Sequence, residues 1–124
     1  MPYTYDDQNV FARILRGEIP NDTVLETAHT LAFNDISPQA PVHVLVIPKG
    51  PYVCHDHFAT QASEAELADF MRTTGEVCRL KGVGADGPGY RTISNAGEYG
   101  VQEVLHYHLH ILGGRPLGRM LQKA

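Results

Sequence analysis

Apolar residues recur at Val10, Phe11, Ile14 and Leu15 with the spacing of one helix face, Asn9 stands where a cap belongs, and Gly17 is placed to stop the helix before Pro20. Two β-prone runs, residues 23–26 and 31–33, flank Thr27-Ala28-His29-Thr30 and predict a hairpin whose lone His29 is expected to be exposed. After Ser37-Pro38-Gln39-Ala40-Pro41, stiffened by its prolines, comes Val42-His43-Val44-Leu45-Val46-Ile47. That run is the most β-branched of the chain and predicts a central strand ended by Pro48. A long helix is predicted from Ser63, where Glu66 completes a capping box, up to Gly82, with Leu67, Phe70, Met71, Thr74, Val77 and Cys78 as a core-facing stripe. A glycine-rich loop, 82–89, leads to a strand over 90–94, and a polar loop, 95–103, leads to a last strand over 104–112.

Five short strands with one long and one short helix predict an α+β fold, and connections mostly too short for parallel crossovers predict an antiparallel sheet. Strands 42–47 and 104–112 are expected to pair or lie side by side. No repeat, low-complexity tract or linker divides the 124 residues, so a single domain is expected over 1–124. A chain of this size buries a real core, while a deep pocket can require a second subunit.

The last strand carries the chemistry. His106-Tyr107-His108-Leu109-His110-Ile111-Leu112 sets an imidazole at every second residue, and Gly113-Gly114-Arg115-Pro116 follows directly. In a strand the three rings share one face, with their Cα atoms roughly 6.6 Å apart, while Tyr107, Leu109 and Ile111 point the other way. Three titratable rings facing a core would cost burial free energy unless each found a partner, so the face reads as an active site. His43, opposite in phase to Val42, Val44 and Val46, is able to join them in a suitable register. Neutral imidazole is a good nucleophile and leaving group at phosphorus, and a neighbouring imidazole can hold its tautomer or supply a proton. The loop Asn95-Ala96-Gly97-Glu98-Tyr99-Gly100-Val101-Gln102-Glu103 offers amides, carboxylates and backbone N–H groups nearby. Gln102 and Glu103 are expected to contact phosphate oxygens or a departing group.

Charge narrows the ligand. A formal net charge of -4 and no Lys/Arg cluster argue against nucleic acid, so a phosphorylated ligand should be small and held locally. Two cysteines, Cys54 and Cys78, are too few for a disulfide scaffold and are expected to be reduced. An acidic amino terminus, Met1 to Asp7, and the lack of a membrane-length apolar stretch lead to the expectation of a cytoplasmic protein. Three histidines and a water would also suit zinc, but the sequence fixes no carboxylate behind them, and no metal or other cofactor is expected. A purely structural histidine strand is the blander reading. Cys54-His55-Asp56-His57 has ligand-type side chains as well, against which stands a solvated turn, expected in a loop just before a helix.

These residues resemble the histidine triad (HIT) superfamily. His106 to Leu112 matches its alternating histidine signature, and Gly113-Gly114-Arg115 is similar to its nucleotide-binding (Hint) branch. Residues 11–20, 32–41 and 42–49 resemble that branch's amino-terminal helix and central segment in the expected order. Gln102-Glu103-Val104 and the ending 115–121 look most like bacterial members.

The resemblance implies a homodimer whose sheets join into one, and hydrolysis of purine nucleoside phosphoramidates, typically adenosine 5′-phosphoramidates. It makes His108 the nucleophile that forms a nucleotidyl-histidine, with His106 and His110 orienting it and meeting phosphate oxygens and His43 as the fourth member. Asp35 matches the carboxylate that accepts from both ribose hydroxyls. Val10, Phe11, Ile14, Phe33 and Ile36 match residues enclosing the base, although ordinary core packing accounts for the same types. Asn95 and the Val101 N–H match phosphate contacts. Glu103 departs from the animal pattern, where a neutral hydroxyl follows the glutamine, and Val101 replaces a usual glycine. The tail has no tryptophan, which bears on the amine side of the substrate. Two other functions stay open: a non-catalytic nucleotide-binding protein, and a dinucleoside polyphosphate hydrolase.

Overall fold

The structure is a computed structural model that describes residues 3–122. Met1 and Pro2 of the acidic amino terminus, and Lys123 and Ala124, lie outside the described residues. Helix α1, Val10–Leu15, starts where Asn9 accepts the Ala12 N–H at 2.9 Å and ends before Gly17, whose φ of 78° a glycine adopts without strain. Strands β1, Thr23–Glu26, and β2, Thr30–Asn34, form the expected hairpin. Strand β3 is Val42–Pro48, followed by α2, His55–Gln61, α3, Glu64–Leu80, β4, Tyr90–Ile93, and β5, Leu109–Gly113. The five strands make one antiparallel sheet in the order β1-β2-β3-β5-β4, as the short connections predicted.

Strand alternation divides the core into two faces. Ala32, Val44, Val46 and Ile111 point to α3 and pack with Phe58, Phe70, Val77 and Cys78. Leu31, Phe33, Leu45 and Ile47 point the other way, under Phe11 of α1. Leu45 pairs with His110 and His43 with Leu112, so both histidines stand on the α1 face. Helix α3 carries the capping box of Ser63 and Glu66, and its Asp69 carboxylate accepts from Thr27 Oγ1 at 2.6 Å, Thr30 Oγ1 at 2.8 Å and the His29 N–H at 3.1 Å. That contact staples the helix to the hairpin and leaves His29 half-buried rather than exposed.

Four expectations need correction. The histidine segment is a strand only from Leu109; residues 104–108 leave the ladder because the Tyr107 N–H bonds the Tyr52 carbonyl at 2.7 Å, tying the chain to the connection after β3. Cys54-His55-Asp56-His57 is not a loop but the entry and first turn of α2, a helix that buries Phe58 alone and so shows no apolar period. Met71 is exposed, and Thr73 takes its place on the buried stripe, 3.3 Å from Thr27 Oγ1. Pro48 is the last residue of β3, at the end of the ladder opposite Thr30, rather than the residue after it. Among the described residues no helix is long and apolar enough to cross a membrane.

Candidate active site

A cleft of about 450 Å³ opens on the α1 face of the sheet. Its apolar wall comes from Val10, Phe11 and Ile14 of α1, Phe33 of β2 and Ile36 in the connection after it, the residues the resemblance assigned to the base. Ile19, Pro20, Leu45 and Val104 complete that wall and were not anticipated. His108, His110, Asp35, Asn95 and Glu103 supply the polar lining. His43 and His106 do not line the cleft; they stand behind it.

Backbone groups set the tautomers of His43, His106 and His108, and the His43 ring sets that of His110. Gln39 N–H donates to His43 Nδ1 at 3.0 Å, so neutral His43 carries its proton on Nε2 and donates to His110 Nδ1 at 2.9 Å. His110 in turn keeps its proton on Nε2. His106 Nε2 lies 2.8 Å from the Pro48 carbonyl, which only accepts, so that nitrogen is protonated and Nδ1 receives the Tyr5 hydroxyl at 2.6 Å. His108 Nδ1 donates to the His106 carbonyl at 2.7 Å, which leaves Nε2 as an unprotonated lone pair on a cleft-lining residue. One ring thus offers a nucleophile and its neighbour an N–H donor.

Burial keeps these rings neutral. Desolvation pushes His106 and His110 down to about 4, with the neighbouring histidines adding to the shift, and lowers His43 and His108 as well. Nearby Asp35 works against that shift at His43, His108 and His110. Asp35 Oδ1 accepts the Ser37 N–H at 2.8 Å, and Oδ2 sits 3.5 Å from His43 Nε2. The carboxylate is therefore held rigidly in the cleft wall with one oxygen committed.

Donor atoms of Asp35, His43 and His110 fall within 4.8 Å of one another, close enough to surround a cation. The chemistry of the set opposes it. A metal on His43 Nε2 would have to drive the proton onto Nδ1, which already faces an N–H from Gln39. His43 and His110 form a hydrogen-bonded pair instead, with the Asp35 carboxylate beside it. The Cys54 to His57 cluster is likewise committed elsewhere: Cys54 Sγ donates to Asp56, the Val53 N–H to His57 Nδ1 at 2.9 Å, and His55 Nδ1 lies 3.2 Å from the Tyr107 hydroxyl.

The loop after β4 departs from expectation at two residues. Val101 has a φ of 56°, left-handed backbone that a β-branched side chain adopts only under strain, and its N–H closes a turn onto the Glu98 carbonyl at 3.1 Å. That N–H is turned into the loop, not toward a phosphate; the Val101 side chain lines the cleft. Gln102 is absent from the cleft lining because its amide braces the loop, donating to the Val53 carbonyl at 2.5 Å and the Val104 carbonyl at 3.0 Å. Glu103 does line the cleft, exposed, and its carboxylate makes no hydrogen bond or ion pair within the described residues. Among the described residues no lysine or arginine lines this cleft.

Tyr5, Gln39 and Pro48 were not legible as site residues. Tyr5 is 101 positions from its partner, and Gln39 and Pro48 act through backbone atoms that carry no signature of residue type.

Known proteins resemble this chain in sequence and fold. The HIT domain family model matches residues 16–117. An uncharacterised 13.2 kDa HIT-like protein of Azospirillum brasilense is 60% identical over 99% of each chain. The purine nucleoside phosphoramidase of Escherichia coli is 40% identical over 93% of this chain and 94% of its own. The solved structure of a HIT family hydrolase from Clostridium thermocellum superposes with a TM-score of 0.81 at 33% identity, covering 94% of this chain and 99% of that one. With the family model spanning most of its length and its histidines gathered at one cleft, the chain belongs to the HIT domain family.

Proposed function

We propose that this protein is a hydrolase that cleaves the P–N bond of purine nucleoside 5′-phosphoramidates, adenosine type preferred, through a nucleotidyl-histidine on His108. The observation that carries the proposal is the hydrogen bond from His108 Nδ1 to the His106 carbonyl, which presents Nε2 unprotonated at the cleft. The base lies among Val10, Phe11, Ile14, Phe33 and Ile36, and the free oxygen of Asp35 accepts from the ribose. His108 Nε2 bonds to the α-phosphorus as the P–N bond breaks. His110 Nε2–H and the Asn95 amide donate to the phosphoryl oxygens, in the manner of a preorganised oxyanion site. The positive charge left on His108 is met by the His106 carbonyl at Nδ1. The departing nitrogen takes its proton from water as it leaves, on the open side of the cleft where Glu103 is exposed. A second water then attacks phosphorus and gives up a proton to solvent, His108 leaves as neutral imidazole, and nucleoside monophosphate is released.

The Escherichia coli relative's name supports this substrate class. Composition of the cleft supports it over dinucleoside polyphosphates: additional phosphates would meet the carboxylates of Asp35 and Glu103 with no lysine or arginine among the described lining residues. A homodimer with joined sheets and a cytoplasmic location belong to the same proposal. Rapid-quench mass spectrometry with an adenosine 5′-phosphoramidate tests it. An adenylyl mass on His108 that forms and decays at the rate of turnover is the expected result; AMP binding with neither adduct nor amine release would leave a nucleotide-binding module.

A further inference from the structure

His106 is the one triad histidine that is completely buried, at 0% exposure, and it does not line the cleft. Its ring is nevertheless fully engaged, with the Pro48 carbonyl on Nε2 and the Tyr5 hydroxyl on Nδ1. Its backbone carbonyl is the acceptor that sets the tautomer of His108. Phe11 packs edge-on against both rings, with centroids 6.3 Å from His106 and 5.0 Å from His108. A charge on the His106 ring, or a shift of the whole residue, therefore acts on the nucleophile.

Tyr5 reaches this ring on a strap of chain ahead of α1 that is fastened on both sides. Tyr3 donates its hydroxyl to Asp56 and stacks on His57 at 5.1 Å, which gives the first turn of α2 a role that its ligand-type side chains had left unexplained. On the other side Arg16 donates to the Asp7 carbonyl at 2.7 Å, and Asn9 caps α1. The Tyr5 ring meets His106 edge-on at 5.6 Å. It brings a donor to the single nitrogen of His106 that is not already held by Pro48.

We infer that Tyr5 is a positioning residue for the nucleophile: by donating to His106 Nδ1 it holds that buried ring in place beside His108. The inference rests on His108 acting as proposed above. When Nε2 of His108 bonds to phosphorus, its imidazole becomes cationic. A second cation on the ring two residues away would oppose that step, and a shift of the whole His106 residue, ring and backbone together, would carry its carbonyl away from His108 Nδ1. Burial already opposes the first, and the hydroxyl adds to it by occupying the lone pair through which a proton would enter; it prevents the second by anchoring the ring at the nitrogen opposite the one held by Pro48. Without it, Nδ1 is a buried acceptor with no partner.

The test is Tyr5→Phe, which keeps the packing and removes the donor, with Tyr3→Phe as the control that loosens the strap without touching His106. For Tyr5→Phe, turnover of an adenosine 5′-phosphoramidate should fall about tenfold with KM within about twofold, the pattern of a lost transition-state interaction. The ¹⁵N resonance of His106 Nδ1, read without substrate, should shift; Tyr3→Phe should change neither. Unchanged turnover and an unchanged resonance in Tyr5→Phe overturn the inference, and so does an equal loss in Tyr3→Phe, which would make the strap a fastening only. Because the resonance needs no turnover, an unmoved His106 signal defeats the inference even in a protein that proves inactive on phosphoramidates.

Discussion

His43 Nε2 and His110 Nδ1 are 2.9 Å apart, and because Gln39 N–H occupies the other nitrogen of His43, the proton between the two rings has one allowed direction. It runs from His43 to His110 and obliges His110 to present its own N–H to the cleft. Removing the donor frees His110 to adopt either tautomer, one of which points a lone pair at phosphoryl oxygens. His43→Ala should therefore lower kcat by about ten- to a hundredfold, and His43→Gln, whose amide N–H reaches to a similar distance, should lose less. Steady-state kinetics of the two variants would decide it; equal losses would show that the ring's bulk, not its proton, matters.

Neutral, buried imidazoles also fix how stability varies with pH. His106 and His110 titrate at about 4 in the folded chain against an ordinary value of 6.5. Between those limits the unfolded chain binds more protons than the folded one, so stability rises as pH climbs from about 4 to 6.5 and is lost on the way down. Denaturant unfolding at a series of pH values should show a positive slope in that window, approaching about two protons taken up on unfolding. A flat profile above pH 4 would mean that the rings are already charged in the folded protein. Activity should keep its acid limb below the ordinary imidazole range for the same reason.

Glu103 is expected to select substrates by charge. Among the described residues it is an exposed carboxylate with no counter-ion, in a cleft lined by no lysine or arginine, so extra phosphates on a leaving group would be repelled. Glu103→Gln should raise turnover of a dinucleoside polyphosphate relative to a phosphoramidate by about three- to tenfold, the size of one exposed charge interaction at close range. Competition assays with both substrates measure that ratio directly. A ratio that does not move would assign the discrimination to another part of the cleft.

Features set by near neighbours were open to sequence reasoning. Asn9 caps Ala12 and Ser63 pairs with Glu66 because capping works at fixed short offsets, and His43 could be assigned a face because strand alternation has a period of two. Contacts that depend on where a distant backbone atom lies were closed to it. Alternation alone would extend the last strand through His106 and His108, but the Tyr52 carbonyl draws Tyr107 off the ladder. Gln102 has the chemistry of a phosphate ligand and turns to the Val53 carbonyl instead. Helix α2 was hidden for a different reason: a seven-residue element with Phe58 as its buried anchor has no period to read.

Val101 holds a left-handed backbone, φ 56°, at the rim of the cleft while its side chain is 69% exposed. Little burial offsets the strain, which for a non-glycine residue in this region is of order 1–3 kcal/mol. The conformation persists because the turn is closed on both sides, by the Val101 N–H on Glu98 and by the Gln102 N–H on Gly97. Val101→Gly removes the Cβ clash, gives back part of that energy as added unfolded-state entropy, and sacrifices little packing. A net stabilisation of about 1 kcal/mol is expected, seen as a higher denaturant midpoint at unchanged slope. Val101→Ala should gain less, because alanine keeps the Cβ that makes this region unfavourable and relieves only the branching. If glycine destabilises the chain as much as it would in ordinary right-handed backbone, the turn is not strained, and valine is there for the contact its side chain makes in the cleft wall.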